Sequence, residues 1–212
     1  MSEKDVLIKG ISELGLTADE AQINKLLEFS ALLLKWNKVY NLTAITRPEE
    51  ILTKHILDSL ALAQYLSGRY GGKGLSVLDV GCGGGFPSVP CSVLYPQAEF
   101  TSVDAVAKKI AFIKAAKTML RLENVFPMHV RVENLEGKKF DVITSRAFST
   151  LRTLIELTEG LAAPDGCWIA LKGKLLEEIS DLPDGYGITE IIPINIPYLN
   201  EERHLVVVKQ KR

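Results

Sequence analysis

Between Val77 and Pro90 the chain reads VLDVGCGGGFPSVP, and no other stretch limits the fold so tightly. An apolar run leads into Asp79, and five of the next seven residues are Gly81, Cys82, Gly83, Gly84 and Gly85. Glycine loses more backbone freedom on ordering than any other residue, so this run neither prolongs a strand nor starts a helix cheaply. It suits a turn in which bare backbone approaches a ligand, beside the unpaired N–H groups of a following helix. A plain tight turn would use the same residues, so the surroundings decide between the two.

From Leu75 onward, short apolar runs alternate with helical stretches. LSVLDVG, AEFTSVD, NVFPMHV, FDVITSR and GCWIALKG read as strands, with amphipathic segments such as AVAKKIAFIKAAKTML between them. Strands that are almost continuously apolar, spaced by helices, imply a parallel sheet covered on both faces. The last two runs, ITEIIPINIPYL and RHLVVVKQK, have no helix between them and imply a terminal antiparallel hairpin. The expected fold is α/β and Rossmann-like, a mostly parallel seven-stranded sheet behind N-terminal helices. Helix starts are expected at Thr17 with Glu20 and at Thr46 with Glu49, two capping-box patterns, the second followed by Pro48. The glycine-rich SGRYGGKG (Ser67 to Gly74) divides a helical segment, 1–74, from an α/β domain, 75–212, in one compact unit.

The glycine run therefore follows a strand and precedes a helix, and FTSVD places Asp104 at the end of the next strand. That offset suits a carboxylate that grips ribose hydroxyls, which points to an adenosine-bearing cofactor. Phe86 and Pro87 stand where a dinucleotide fingerprint keeps a glycine to admit a pyrophosphate. Bulk there favours S-adenosylmethionine, and Asp79 suits that molecule's charged amino group. The acceptor is less constrained. The end of the fourth strand, TSRAF, lacks the Asp/Asn-Pro-Pro-aromatic turn of exocyclic-amine methylation. None of Cys82, Cys91 and Cys167 is placed to be the nucleophile that carbon methylation of a pyrimidine requires. A purine ring nitrogen and a carboxylate both remain.

The formal net charge of −1 gives no bulk attraction for nucleic acid, so any basic surface is local. No apolar run approaches the ~18 residues of a membrane span, and no metal-binding cluster is visible. The cysteines form no CxxC pair and read as reduced thiols, so the expected setting is the cytoplasm.

In this order, NLTAIT (Asn41 to Thr46), HILDSL (His55 to Leu60), VLDVGCGGGFPSVP, SRAF and LKG (Leu171 to Gly173) resemble the bacterial glucose-inhibited division protein B family. The resemblance runs from about residue 20 to the C-terminus. It implies an S-adenosylmethionine-dependent methyltransferase acting on N7 of a guanine in small-subunit (16S) ribosomal RNA. It also implies cofactor-loop positions at Gly81, Gly83 and Phe86, an adenine-flanking pair at Val132 and Glu133, and Arg146 in the cofactor site facing the acceptor base. Ser88 departs from the family, where glycine usually follows the proline, which leaves the course of the loop open.

Other residues carry a plain reading beside the functional one. Asn41, His55 and Asp58 are expected on the RNA side of the pocket. Yet asparagine suits a turn, and His55 with Asp58, one helical turn apart, equally suits a structural pair. Lys172 and Arg203 are expected to reach phosphates, or else to be solvated strand-end charges. The lysines of AKKIAFIKAAKTMLR read first as a solvated helix face and second as an RNA contact, and Trp36 with Tyr40 as packing ahead of base-stacking platforms. Near neutrality implies as substrate a folded RNA or a partly assembled 30S subunit rather than short naked RNA, and the expected protein is a monomer. The rival readings are a small-molecule methyltransferase and a non-catalytic protein that binds ribosome or nucleotide.

Overall fold

The computed structural model describes residues 2–146, 150–173 and 181–211. Its strands are β1 (Ser76–Val80), β2 (Glu99–Asp104), β3 (Val125–His129), β4 (Phe140–Arg146), β5 (Ala162–Lys172), β6 (Tyr186–Pro193) and β7 (His204–Gln210). They form one sheet in the order β3-β2-β1-β4-β5-β7-β6. The first five run parallel, and β7 lies antiparallel to both β5 and β6, the expected terminal hairpin. The chain steps outward from β1 to β3 and then returns to lay β4 on the other side of β1. The carboxyl ends of β1 and β4 therefore flank a topological switch point, where open sheets bind ligands.

Before the sheet come α1 (Glu3–Glu13), α2 (Glu20–Tyr40), α3 (Pro48–Ile51), a π-helical stretch (Leu52–Leu57) and α4 (Asp58–Tyr70). Between the strands lie α5 (Ser88–Leu94), α6 (Ala107–Leu120) and α7 (Leu151–Thr158). One buried cluster joins Leu7, Phe29 and Leu62 of the N-terminal helices to Val77, Phe100 and Val207 of the sheet. A second, on the opposite face, packs Leu151, Leu154 and Ile155 of α7 against Leu78, Ile143 and Trp168. Among the described residues no helix is long and apolar enough to cross a membrane.

Both expected caps move. The cap of α2 is Asp19, not Thr17. The Asp19 carboxylate accepts from the Gln22 N–H at 2.7 Å, while Gln22 accepts from the Asp19 N–H at 3.0 Å. The Asp-x-x-Gln box two residues on wins because aspartate is the stronger cap. At α3 the cap is Arg47, without a side-chain bond, and not Thr46. Proline disfavours helical backbone in the residue before it, so the helix can begin only at Pro48. The segment read as a glycine-rich divider also shortens, since α4 continues to Tyr70 and Gly71 ends it in the left-handed region at φ 58°.

The glycine turn is pinned to β2 by the N–H groups of Gly81 and Cys82, which both donate to the Val103 carbonyl, at 2.9 and 3.1 Å. Gly81, Gly83 and Gly85 all have positive φ, and the Phe86–Pro87 peptide bond is cis. A Cβ on Gly85 would lie 2.7 Å from Val89 Cγ2, whereas one on Gly71 would meet nothing within 4 Å. Gly85→Ala should therefore combine backbone strain with overpacking and cost about 2–5 kcal/mol. Gly71→Ala should cost only about 1–2 kcal/mol, from the strain alone. Urea denaturation of the two variants checks the ranking, and equal losses would contradict it.

Candidate functional site

Two carboxylates organise one side of the crevice. Asp104, at the end of β2, accepts from the Gly83 N–H (3.1 Å) through Oδ2 and from the Val106 N–H (2.8 Å) through Oδ1. Lys109 also reaches Oδ2, at 3.4 Å. Asp104 thus holds the turn to the start of α6, and ribose hydroxyls would compete with Lys109 for what acceptor capacity remains. Asp79, at the end of β1, is wholly buried. Its Oδ2 accepts from the Ser88 N–H at 3.1 Å, while Oδ1 has no hydrogen-bond partner. Burial pushes the Asp79 carboxyl up to about 7, against the opposing pull of Ser88 and of Arg146. Ser88 fits where glycine was expected because its φ is not positive and its Oγ accepts from Ser102 Oγ at 2.8 Å.

A cleft of about 320 Å³ opens beside Asp104, within the usual ligand-pocket range of about 300–1,000 Å³. Gly81, Asp104, Lys109, Arg131, Val132 and Glu133 line it. The turn containing Val132 and Glu133 (Val132–Asn134) thereby meets the glycine loop across one opening. The Phe86 side chain is buried away from this cleft, packed on Phe29 (5.4 Å between centroids) and stacked with His55 (4.5 Å). The residues present fit an adenosine-bearing group with a cationic amine. Asp79, buried two residues before the Gly81 that lines the cleft, has an unsatisfied carboxylate oxygen for the amine, and there is a strand-end carboxylate for the ribose and a cleft of suitable size.

The other side of the crevice is built around Arg146. Its Nη1 donates to the Lys54 carbonyl (2.9 Å) and to Asp58 Oδ2 (3.2 Å), its Nη2 reaches His55 Nδ1 (2.7 Å), and its guanidinium lies 5.0 Å from the Phe86 ring centre. The π-helical stretch makes the first of these contacts possible. The Asp58 N–H bonds to the Thr53 and His55 carbonyls and passes over that of Lys54, which Arg146 takes instead. Arg203 Nε donates to the other oxygen of Asp58 at 3.0 Å, and its Nη2 to Glu201 at 2.8 Å.

His55 Nδ1 also lies 3.2 Å from the Lys54 carbonyl, but the shorter contact is with an arginine, which can only donate, so Nδ1 offers Nη2 its lone pair and the ring hydrogen sits on Nε2. Nε2–H then donates to Thr43 Oγ1 at 2.8 Å. Asn37, buried under the connector, holds Thr43 in place by accepting its N–H at 2.9 Å. Burial and the Arg146 charge bring the His55 pKa down to about 3, so the ring stays neutral with both nitrogens committed.

His55, Asp58, Arg146 and Arg203 thus meet in one network, while Gly81, Gly83, Asp79 and Asp104 form its neighbour. Lys172 ends β5 opposite His204, one residue beyond the Leu171 that pairs with Arg146. Asn41 is the left-handed cap of α2, at φ 49°, where the fold uses its turn-forming backbone. Ala147 and Phe148 of SRAF lie outside the described residues. Sequence reasoning missed Thr43, although it lies inside NLTAIT, and also Arg131, and it read Lys109 only with the other lysines of its helix. The Lys54 carbonyl had no sequence signal, since a π-helical stretch leaves none.

A family model described as GidB, rRNA small subunit methyltransferase G, matches residues 22–206. Ribosomal RNA small subunit methyltransferase G of Francisella tularensis subsp. tularensis is 46% identical over 208 residues, 98% of each chain. The protein of that name from Francisella philomiragia subsp. philomiragia is 46% identical over 210 residues, 99% of each chain. Among solved structures, magnesium protoporphyrin IX methyltransferase from Synechocystis PCC 6803 with bound SAM superposes with a TM-score of 0.60 at 19% identity, covering 92% of this chain and 99% of that one. The ribosomal protein L11 methylase of Lactobacillus delbrueckii subsp. bulgaricus gives 0.56 at 15%, covering 73% and 79%. At such identities the two structures speak to the fold alone.

His55 and Asp79 have opposite effects on stability against pH. A depressed His55 favours folding above pH 6.5 and loses that contribution as pH falls toward 3. A raised Asp79 favours folding at low pH and loses that contribution as pH rises from 3.8 to about 7. The two offset each other in an unfolding curve, so the ring itself is the cleaner probe. Nitrogen NMR should find His55 neutral with its proton on Nε2 from pH 8 down to about 4; titration near pH 6.5 would contradict the network.

Proposed function

The chain belongs to the rRNA small subunit methyltransferase G family, and from that premise we propose that it methylates N7 of a guanine in 16S ribosomal RNA, with Arg146 holding the acceptor base. The cofactor is S-adenosylmethionine, which supplies an electrophilic methyl group on a cationic sulfur. Asp79 holds the cofactor's amino group, Asp104 its ribose, and Val132 with Glu133 its adenine, beside the backbone of Gly81 and Gly83.

The observation that carries this reading is the state of the groups around Arg146. Ring nitrogen N7 attacks with a lone pair and carries no proton, so it needs no general base. His55 has no free lone pair to act as one, and both oxygens of Asp58 already accept from arginines. Such surroundings suit alignment and electrostatics more than proton removal. Arg146 has committed three of its five N–H groups among the described residues, leaving Nε–H and one on Nη2. Those two reach O6 or a phosphate and leave the N7 lone pair free. The helical segment 1–74 works with 75–212 as one unit, since its His55 and Asp58 hold Arg146. We place the enzyme in the cytoplasm as a monomer acting on a partly assembled small subunit.

Mass mapping of 16S ribosomal RNA from cells with and without the gene tests the reaction. One N7-methylguanosine should vanish with the gene and return with it, while an unchanged map would refute the assignment. With the purified enzyme, Arg146→Ala should lower kcat about 10²-fold, the scale of losing one preorganised donor. Full activity in that variant would remove Arg146 from the site.

Asp79 adds a pH signature. Its ionised form holds the cofactor's amine, so affinity should fall as pH drops through about 7. The limit is tenfold per pH unit, and Asp79→Asn should bind weakly at every pH with no such slope. Calorimetric titration between pH 5.5 and 8.5 checks this, and a slope that survives in Asp79→Asn would contradict it.

A further inference from the structure

Four stretches of this near-neutral chain run 18 residues or more without aspartate or glutamate, and the two richest in Lys and Arg are Phe29 to Pro48 and Ala105 to Leu122. The fold lays them against each other, for Trp36 of α2 meets Phe112 of α6 edge-on with ring centres 5.7 Å apart. The first carries Lys35, Lys38 and Arg47, and the second is the lysine-rich α6. Arg47 is paired with Glu50, and Lys109 with Asp104. Lys35, Lys38 and Lys108 are exposed and have no carboxylate partner among the described residues. Lys108 lies one turn before Phe112 and so shares its helix face.

Apolar side chains stand exposed among these charges. Val39 is 70% exposed, Tyr40 41% and Val106 39%. The Tyr40 ring is backed by Trp36 at 5.1 Å, which holds it as a platform. The location matters as much as the composition. α6 begins at the rim of the cofactor cleft, where the Val106 N–H is held by Asp104. α2 ends at Asn41, two residues before the Thr43 that bonds to His55 beside Arg146. One acid-free stretch therefore starts at the rim of the cleft, and the other, with its exposed ring, ends close to Arg146.

We propose that the last turns of α2 and the first turn of α6 form the docking face for the unpaired RNA strand that flanks the acceptor base. Lys35, Lys38 and Lys108 contact its phosphates, and Tyr40 stacks on a neighbouring base. The inference rests on ribosomal RNA being the substrate and specifies which surface holds it. Lysines without base-reading partners fix position rather than sequence, and ring stacking accepts any base. The face therefore orients the strand, and the Arg146 pocket chooses the base.

The test uses small ribosomal subunits purified from cells lacking the gene, and the RNA extracted from them. Binding and methyl transfer are measured separately for the wild type, Lys38→Gln/Lys108→Gln, Tyr40→Ala and Lys73→Gln, an exposed control at the opposite end of β1. Each phosphate contact contributes about 0.7–0.9 to the slope of log affinity against log salt, so the double variant should lose about 1.4–1.8. Its KM for subunits should rise about tenfold, with cofactor affinity unchanged. Tyr40→Ala should raise KM by roughly fivefold or more with the salt slope intact. Double-variant affinity and slope matching those of Lys73→Gln would overturn the proposal. So would a loss seen on subunits but not on extracted RNA, which would assign the face to a ribosomal protein. Wild type that binds subunits with a steep salt slope but transfers no methyl would instead strike the activity reading and leave the face standing.

Discussion

The contact between Arg146 and the π-helical turn at Lys54 to Asp58 is the constraint on which the rest of the site depends. It joins the end of a central strand to a helix that precedes the whole sheet, across 88 residues of sequence to Asp58. Breaking a buried pair of this kind by removing one partner typically costs about 3–5 kcal/mol, because the other charge is left buried. Asp58 is spared that outcome by a second arginine, Arg203, immediately before the last strand. Three distant parts of the chain thus fix one guanidinium, and the N-terminal helices become a wall of the pocket proposed for the acceptor.

The cofactor side rests on a different physical device. Asp79 is buried with one oxygen unsatisfied, a cost of roughly 1–3 kcal/mol that an apolar residue would avoid. A cationic ligand bound there would remove that cost, and the penalty in the free protein would become selectivity in the bound one. Asp104 does the opposite. It is already engaged by two backbone N–H groups and Lys109, and its rigid hold on the glycine turn keeps the cleft open in shape.

Much of this was legible in the sequence. The alternation of apolar runs with helices gave the sheet, and the absence of a helix between the last two runs gave the hairpin, because periodicity survives without knowledge of neighbours. The glycine run and Asp104 were visible for the same local reason. The two capping boxes were not, since Thr17 and Asp19 offer rival registers and only packing and cap strength choose between them. At the acceptor site the residues were nameable but their state was not. His55 and Asp58 share a helix face in sequence, yet nothing local says that Arg146 and Arg203 converge on them. The neutral tautomer of His55 follows only once its partners are in place, and Thr43 acquires its meaning through that ring.

The central claim is that the fold sets the Arg146 guanidinium in place before any ligand arrives. Its most direct test is a pair of crystal structures of the enzyme, ligand-free and with S-adenosylhomocysteine. The account predicts ligand density in the cleft between Gly81, Asp104 and Val132, with Arg146 on Asp58, the Lys54 carbonyl and His55 in both. An Arg146 that leaves Asp58 and His55 in either state, or a ligand seated elsewhere, would contradict it.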